Sequence, residues 1–171
     1  SGRAFQVMVV GSIGLVLLWG WNVGDTVFDT STWPVTHLVV GTVLSERSTL
    51  LPWLFIALYA GELVHKDREV GAAEIADAVP VPTSIVLLGR FLALVAIIVV
   101  LHIAFMVGGL LLQSLQGYYN SELGLYARVW FGLTLGEHVL LAALEMTIHV
   151  VVHQKYVGHI VVLGAFILGM V

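Results

Sequence analysis

The sequence predicts an all-α, polytopic transmembrane helical bundle of about five spans. Three observations lead there. Hydrophobic residues fill 59% of the 171 positions and charged residues only 11%, against about 45–50% and about 25% in soluble domains; mean hydropathy is +1.01. The apolar residues form runs of helix-spanning length rather than alternating with strand period, which disfavours a β-barrel. The charges gather between those runs. The net charge of −4 is carried in connecting segments and identifies no partner, so the lipid bilayer, and no nucleic acid, is the expected surrounding. With no cysteine, a disulfide framework and a thiolate metal site are excluded.

The first span is predicted over residues 4–21, with Trp19 and Trp21 suited to the interfacial belt. Arg3 ahead of "VMVVGSIGLVLLWGW" resembles the start of a signal peptide. No small-residue cleavage site follows, and further spans do, so a retained helix is expected. Residues 22–49 form a polar connection containing Asp25, Asp29, Glu46 and Arg47, within which "VTHLVVGTVL" predicts a short interfacial helix. A second, shorter span covers 50–64. Pro52 near its start loses no needed hydrogen bond in a first turn.

The third span, residues 84–112, is the cleanest: "FLALVAIIVVLHIAFMVGGLLL" holds one ionisable residue, His102. At helical rise it covers roughly 40 Å, enough to cross with tilt. "QSLQGYYNSELGLYARVW" predicts an interfacial connection, 131–152 a fourth span, "HQKY" a tight turn and 157–171 a fifth span. The start at Ser1 and the end in "AFILGMV" are expected of a piece of a longer chain. Glycines in "MVGGLLL" and "GAFILGM" predict close helix packing. With the N-terminus inside, Arg3, Lys66, Arg68, Arg90 and Lys155 face the cytoplasm and Arg47 and Arg128 face out, the arrangement the positive-inside rule favours.

Between spans two and three, residues 65–82 hold most of "ELVHKDREVGAAEIADAVPVP", a stretch with seven of the chain's 18 charged residues. On a helical wheel Lys66, Asp67, Glu74 and Asp77 share one side and Ala72, Ile75, Ala76 and Val79 the other. Val70 intrudes on the polar side, and Gly71 weakens the middle. Pro80 and Pro82 stop the helix, and Thr83 or Ser84 is the expected N-cap of the next. A solvated loop is the plain alternative. Amphipathicity and the lack of slack between two spans instead suit a coupling element that passes a push to both.

These residues resemble a family. "DREVGAAEIADAVPVPTSIVLLGRFLAL" is similar to the segment after the second span of ABC-2 type transporter permeases. The matching positions are Arg68, Glu69, Gly71, Glu74, Pro80, Val81, Gly89 and Arg90; the usual Gly-Thr is Gly71-Ala72 here. "PVTHL", "YAGELV", "QGYYNSELGLYARVWFG" and "HQKYVGH" extend the resemblance from Pro34 to nearly the end. The likeness is to the second permease half of proteins that also carry an M1-type aminopeptidase domain. That domain is absent, with no H-E-x-x-H, and no catalytic residue is expected.

The resemblance implies a non-enzymatic membrane subunit of an ABC exporter, multi-pass in a bacterial cytoplasmic membrane. It would work with a separate ATP-binding subunit and with another permease half or a homodimer partner. No G-x-x-x-x-G-K-[ST] phosphate loop occurs in this chain. By the same resemblance the coupling segment from Lys66 docks on the ATPase through Arg68, Glu69 and Glu74. Gly71 and Pro80 shape its backbone, and Arg90 anchors the third span at the inner interface. Lys155, Tyr156, Gly158 and His159 match the inner-turn motif.

The fourth span carries a polar face. His138, Glu145 and His149 fall within about 40° around a helix, and His153 follows one turn later. Packing through a Glu145–His149 hydrogen bond, a proton or substrate pathway, and metal or haem ligation by His149, His153 or His159 are the three readings. His102 is the other mid-span histidine. No metal or cofactor is expected on balance. A redox or metal-binding bundle and a structural anchor for a soluble enzyme domain stand as alternatives to transport.

Overall fold

The computed structural model describes residues 2–24, 33–44, 46–69, 82–152 and 154–167. Helices make up almost all of it, and no strand occurs among the described residues. The helices are α1 (Gly2–Gly20), continued by a 3-10 turn at Trp21–Gly24, α2 (Thr36–Val43), α3 (Glu46–Glu69), α4 (Thr83–Leu115), α5 (Leu123–Ala127), α6 (Leu135–Val151) and α7 (Lys155–Ile167). A π-helical segment, Arg128–Thr134, joins α5 to α6 in one continuous rod. Three stretches are long and apolar enough to cross a membrane: Phe5–Val23, Ser84–Leu115 and Leu123–Val151. They fit an integral membrane protein, because a lipid-exposed backbone must satisfy its polar groups internally.

The chain divides into two compact units. Unit 1 comprises residues 1–51 and 99–136. In α1, Met8, Ser12, Val16 and Gly20 form a buried stripe at four-residue spacing, while Val7, Val10 and Leu18 are exposed. Ser12 satisfies its hydroxyl by donating to the Met8 carbonyl at 2.8 Å, the usual solution for a serine in an apolar helix. Val16 packs on Gly108, and Leu112 occupies the space above Gly20. The two contacts advance together along both helices, so α1 and the second half of α4 run in the same direction. The interfacial helix read in "VTHLVVGTVL" is α2, which buries Thr36, Val39, Val40 and Val43 and packs on α1 and α5.

Element ends differ from the sequence expectation in five places. α3 begins at Glu46, ahead of residue 50, and therefore carries Pro52 in its interior rather than in its first turn. It also runs past residue 64 to Glu69, so the start of the 65–82 segment is continuous with the second helix. α4 continues beyond 112 to Leu115 because Gln113 is buried, not exposed. Gly117 (φ 81°) then ends it: Tyr118 N–H donates to Gln113 O and Gly117 N–H to Ser114 O. This paired pattern with a left-handed glycine is the Schellman stop. The next rod starts at Leu123 rather than 131, since Tyr126 and Trp130 extend its buried face. Finally, Pro82 precedes α4 as its cap: its carbonyl accepts from Ile85 and Val86 N–H, which places the cap one residue before Thr83.

A buried polar node holds unit 1 together. Gln113 donates to the Pro34 carbonyl at 2.8 Å and to Thr36 Oγ1 at 3.2 Å, and accepts from Tyr126 O–H at 3.1 Å. Glu122 N–H donates to Thr36 Oγ1 at 3.0 Å. Thus "PVTHL" and "QGYYNSELGLYARVW" meet at one glutamine. Gly109 lies against the Tyr126 ring. Replacing Gln113 by Leu would strand a buried phenol and a buried carbonyl, each costing about 1–3 kcal/mol. Thermal unfolding in lipid-detergent micelles is expected to show a loss of about 3 kcal/mol; an unchanged melt would mean that the node contributes nothing. Nearby, His102 is fully buried, edge-on to Trp130 at 5.8 Å, and Phe105 stacks on the same indole at 5.5 Å. His102 therefore belongs to an aromatic cluster of unit 1. Thr134 bonds the Trp130 carbonyl at 2.9 Å inside the wider π turn, a local device that satisfies backbone groups there.

Unit 2 comprises residues 52–98 and 137–171. It holds most of α3, the first half of α4, α6 beyond Gly136, and α7. Trp53, Ile56, Ala57 and Ala60 form the buried face of α3, and Leu141, Ala142 and Met146 that of α6.

Candidate functional site

The predicted coupling residues fall at the end of α3 and beyond it. Lys66, Arg68 and Glu69 lie on its last turns. Gly71, Glu74 and Pro80 lie outside the described residues. Arg90, in the second turn of α4, is half-buried and donates from Nη1 to the Val64 carbonyl at 3.2 Å. The sequence placed this arginine at the membrane interface; the structure gives it a specific acceptor, two residues before Lys66. The helix that enters the charged segment and the helix that leaves it are therefore fastened together within unit 2.

The polar residues of α6 are buried, but the Glu145–His149 hydrogen bond read from their spacing does not form: neither Glu145 oxygen has a hydrogen-bond partner among the described residues. His138, Glu145 and His149 are all buried, Glu145 and His149 to 1% exposure. His149 meets two further histidines from other helices. The His65 ring of α3 stands edge-on to it at 5.7 Å, and the His159 ring of α7 at 4.8 Å. Two glycines make the space. A Cβ on Gly61 would lie 2.5 Å from His159 Cε1 and 3.1 Å from His149 Cε1, and one on Gly158 would run into the His149 ring. Gly158 N–H donates to the Gln154 carbonyl at 2.9 Å, starting α7 directly after the turn. Tyr156 is exposed and His159 partly so. His153 lies outside the described residues.

His65 was the missed member. In "ELVHKD" it reads as one more polar residue of a charged stretch, but it sits on the apolar face of α3, four residues after Gly61 and five after Ala60. That spacing was the available signal. Among the described residues, no group of three or more His, Asp or Glu side chains is placed to hold a metal ion. The arrangement brings the His149 imidazole against those of His65 and His159, with a buried carboxyl, Glu145, one helical turn earlier on α6.

These contacts also order the helix ends. Val64 and His65 near the end of α3, Arg90 near the start of α4, His149 near the end of α6 and His159 near the start of α7 are all linked by contacts within unit 2. The basic residues Lys66, Arg68, Arg90 and Lys155 belong to those same turns. No family model, curated protein or solved structure matches this chain.

Proposed function

We propose that the chain is part of the membrane-spanning permease of an ABC exporter, with residues 65–82 as the element that receives motion from a separate ATP-binding subunit. The observation that carries this reading is the pairing of an unbroken α3, which runs into Lys66–Glu69, with the Arg90–Val64 bond that ties α4 to the same turn. A displacement of the charged segment would then act on two helices at once. The likeness of "DREVGAAEIADAVPVPTSIVLLGRFLAL" to ABC-2 permeases supplies the class of partner.

Beyond the three stretches long and apolar enough to cross, helix direction supports a reading with five spans. α1 and the second half of α4 run the same way in unit 1, which suits a return crossing between them, and α3 is the helix we assign to it. α7 starts beside the ends of α3 and α6 and leads away from them as a fifth span. Clustering of Lys66, Arg68, Arg90 and Lys155 at those ends supports a cytoplasmic face for the coupling segment. The protein on this reading is not itself an enzyme. It sits in a bacterial cytoplasmic membrane and pairs with another permease half or a second copy of itself.

Because the chain has no cysteine, one introduced thiol reports on one position. A Glu74→Cys variant is expected to react with a membrane-impermeant maleimide only after the cells are opened, and Arg47→Cys to react in intact cells. Labelling of Glu74→Cys from outside would overturn the proposed orientation and the ATPase contact with it.

A further inference from the structure

Glu145 stands out among the buried groups of unit 2. It is 1% exposed, and among the described residues neither of its carboxyl oxygens has a hydrogen-bond partner. An ionised carboxylate taken out of water without a counter-charge is strongly disfavoured, and such groups persist where they exchange a proton or a cation. Among the described residues, no group of three or more His, Asp or Glu side chains could hold a metal ion. A group of imidazoles lies one helical turn further along α6. His149 follows one helical turn later on the same buried face, and His65 and His159 meet His149 edge-on at 5.7 and 4.8 Å. His159 is partly exposed, in the second turn of α7.

We propose that Glu145 is a buried proton-binding site that exchanges with water through His149 and His159. The transfer is balanced within the protein. The carboxyl O–H bond breaks as an N–H bond forms on the His149 imidazole; the resulting imidazolium returns the proton or gives up its other N–H to His159, which releases it to solvent. No oxidant, metal or nucleotide enters. A neutral imidazole has one donor nitrogen and one acceptor nitrogen, which is what a relay requires. Gly61 and Gly158 have a reason to be small here, since a side chain at either would displace the rings.

Among the described residues, few other titratable or charged groups stand around the relay. On α3, His65 is buried, Tyr59 half-buried and Glu62 exposed; on α6, His138 is buried two turns before Glu145; on α7, Tyr156 is exposed; on α4, Arg90 is engaged with the Val64 carbonyl. The site is independent of the permease reading, since it rests on Glu145, His149 and His159 and not on a contact between the charged segment and an ATPase.

The test is infrared spectroscopy of the full chain in lipid nanodiscs at neutral pH. A protonated-carboxyl C=O band is expected in the unsubstituted protein, lost in Glu145→Gln and moved in frequency in Glu145→Asp. The two substitutions back each other up if one of them fails to fold. Exchange of that band into heavy water is expected to slow about a hundredfold in His149→Leu, the scale of a lost proton-transfer group. Absence of the band from the unsubstituted protein, or its persistence unchanged in both Glu145 variants, would overturn the site; an unchanged exchange rate in His149→Leu would overturn the relay.

Discussion

Reversing both Glu69 and Glu74 to Lys is expected to abolish ATP-driven transport while the chain still inserts and folds. The two carboxylates belong to the segment proposed to meet the ATP-binding subunit. Placing like charge against a complementary surface costs several kcal/mol. A loss of about 3 kcal/mol is roughly a hundredfold in the affinity between the two subunits. The buried contacts described in unit 2 run through Val64, His65, Arg90, His149 and His159, so the thermal melt is expected not to move. The measurement is substrate movement in vesicles together with co-purification of the ATP-binding subunit. Normal transport by the double variant would remove the coupling role from this segment. Loss of transport with a lowered melting temperature would show instead that the substitution damaged the fold.

The second large effect is structural. Gly158→Val is expected to destabilise the protein by about 3 kcal/mol, the upper part of the range for overpacking a filled site. A Cβ there meets the His149 ring at Nδ1 and Cε1. That ring is buried and flanked by His65 and His159, so it has nowhere to swing. Gly164, in the same helix, offers the control, because a Cβ there meets nothing within 4 Å. Gly164→Val should therefore leave the melt nearly unchanged, apart from a small propensity effect. Equal melts for the two variants would mean that α7 does not pack on His149 as described.

Helix positions were legible in the sequence because apolar run length alone identifies them; helix ends were not. Gln113 reads as the start of a polar connection, yet it is the centre of a satisfied hydrogen-bond node, so the third helix continues past it. Its real stop was written in "QGYY", where a glycine takes the left-handed cap position. The start of the following rod was obscured by Arg128, an exposed residue that does not interrupt the buried succession of Tyr126 and Trp130.

The candidate site divides the same way. His138, Glu145 and His149 share a helix, and a single period places them together. His65 and His159 reach the same point from other helices, and no local spacing announces that meeting. The Arg90–Val64 bond spans 26 positions and uses a backbone carbonyl, which side-chain patterns cannot reveal. Residues that act through their neighbours in sequence were readable; those that act across helices needed the fold.

Pro52 gives α3 a mechanical property of its own. Lacking an N–H, it leaves the helical ladder one rung short a turn and a half after Glu46, and its ring crowds the preceding turn. Prolines are common places for a helix to bend, and Pro52 is the one proline in the 24 residues of α3. On the proposed coupling role, a helix lacking one hydrogen bond at Pro52 and held by Arg90 at Val64 would yield first at the proline when the charged segment is pushed.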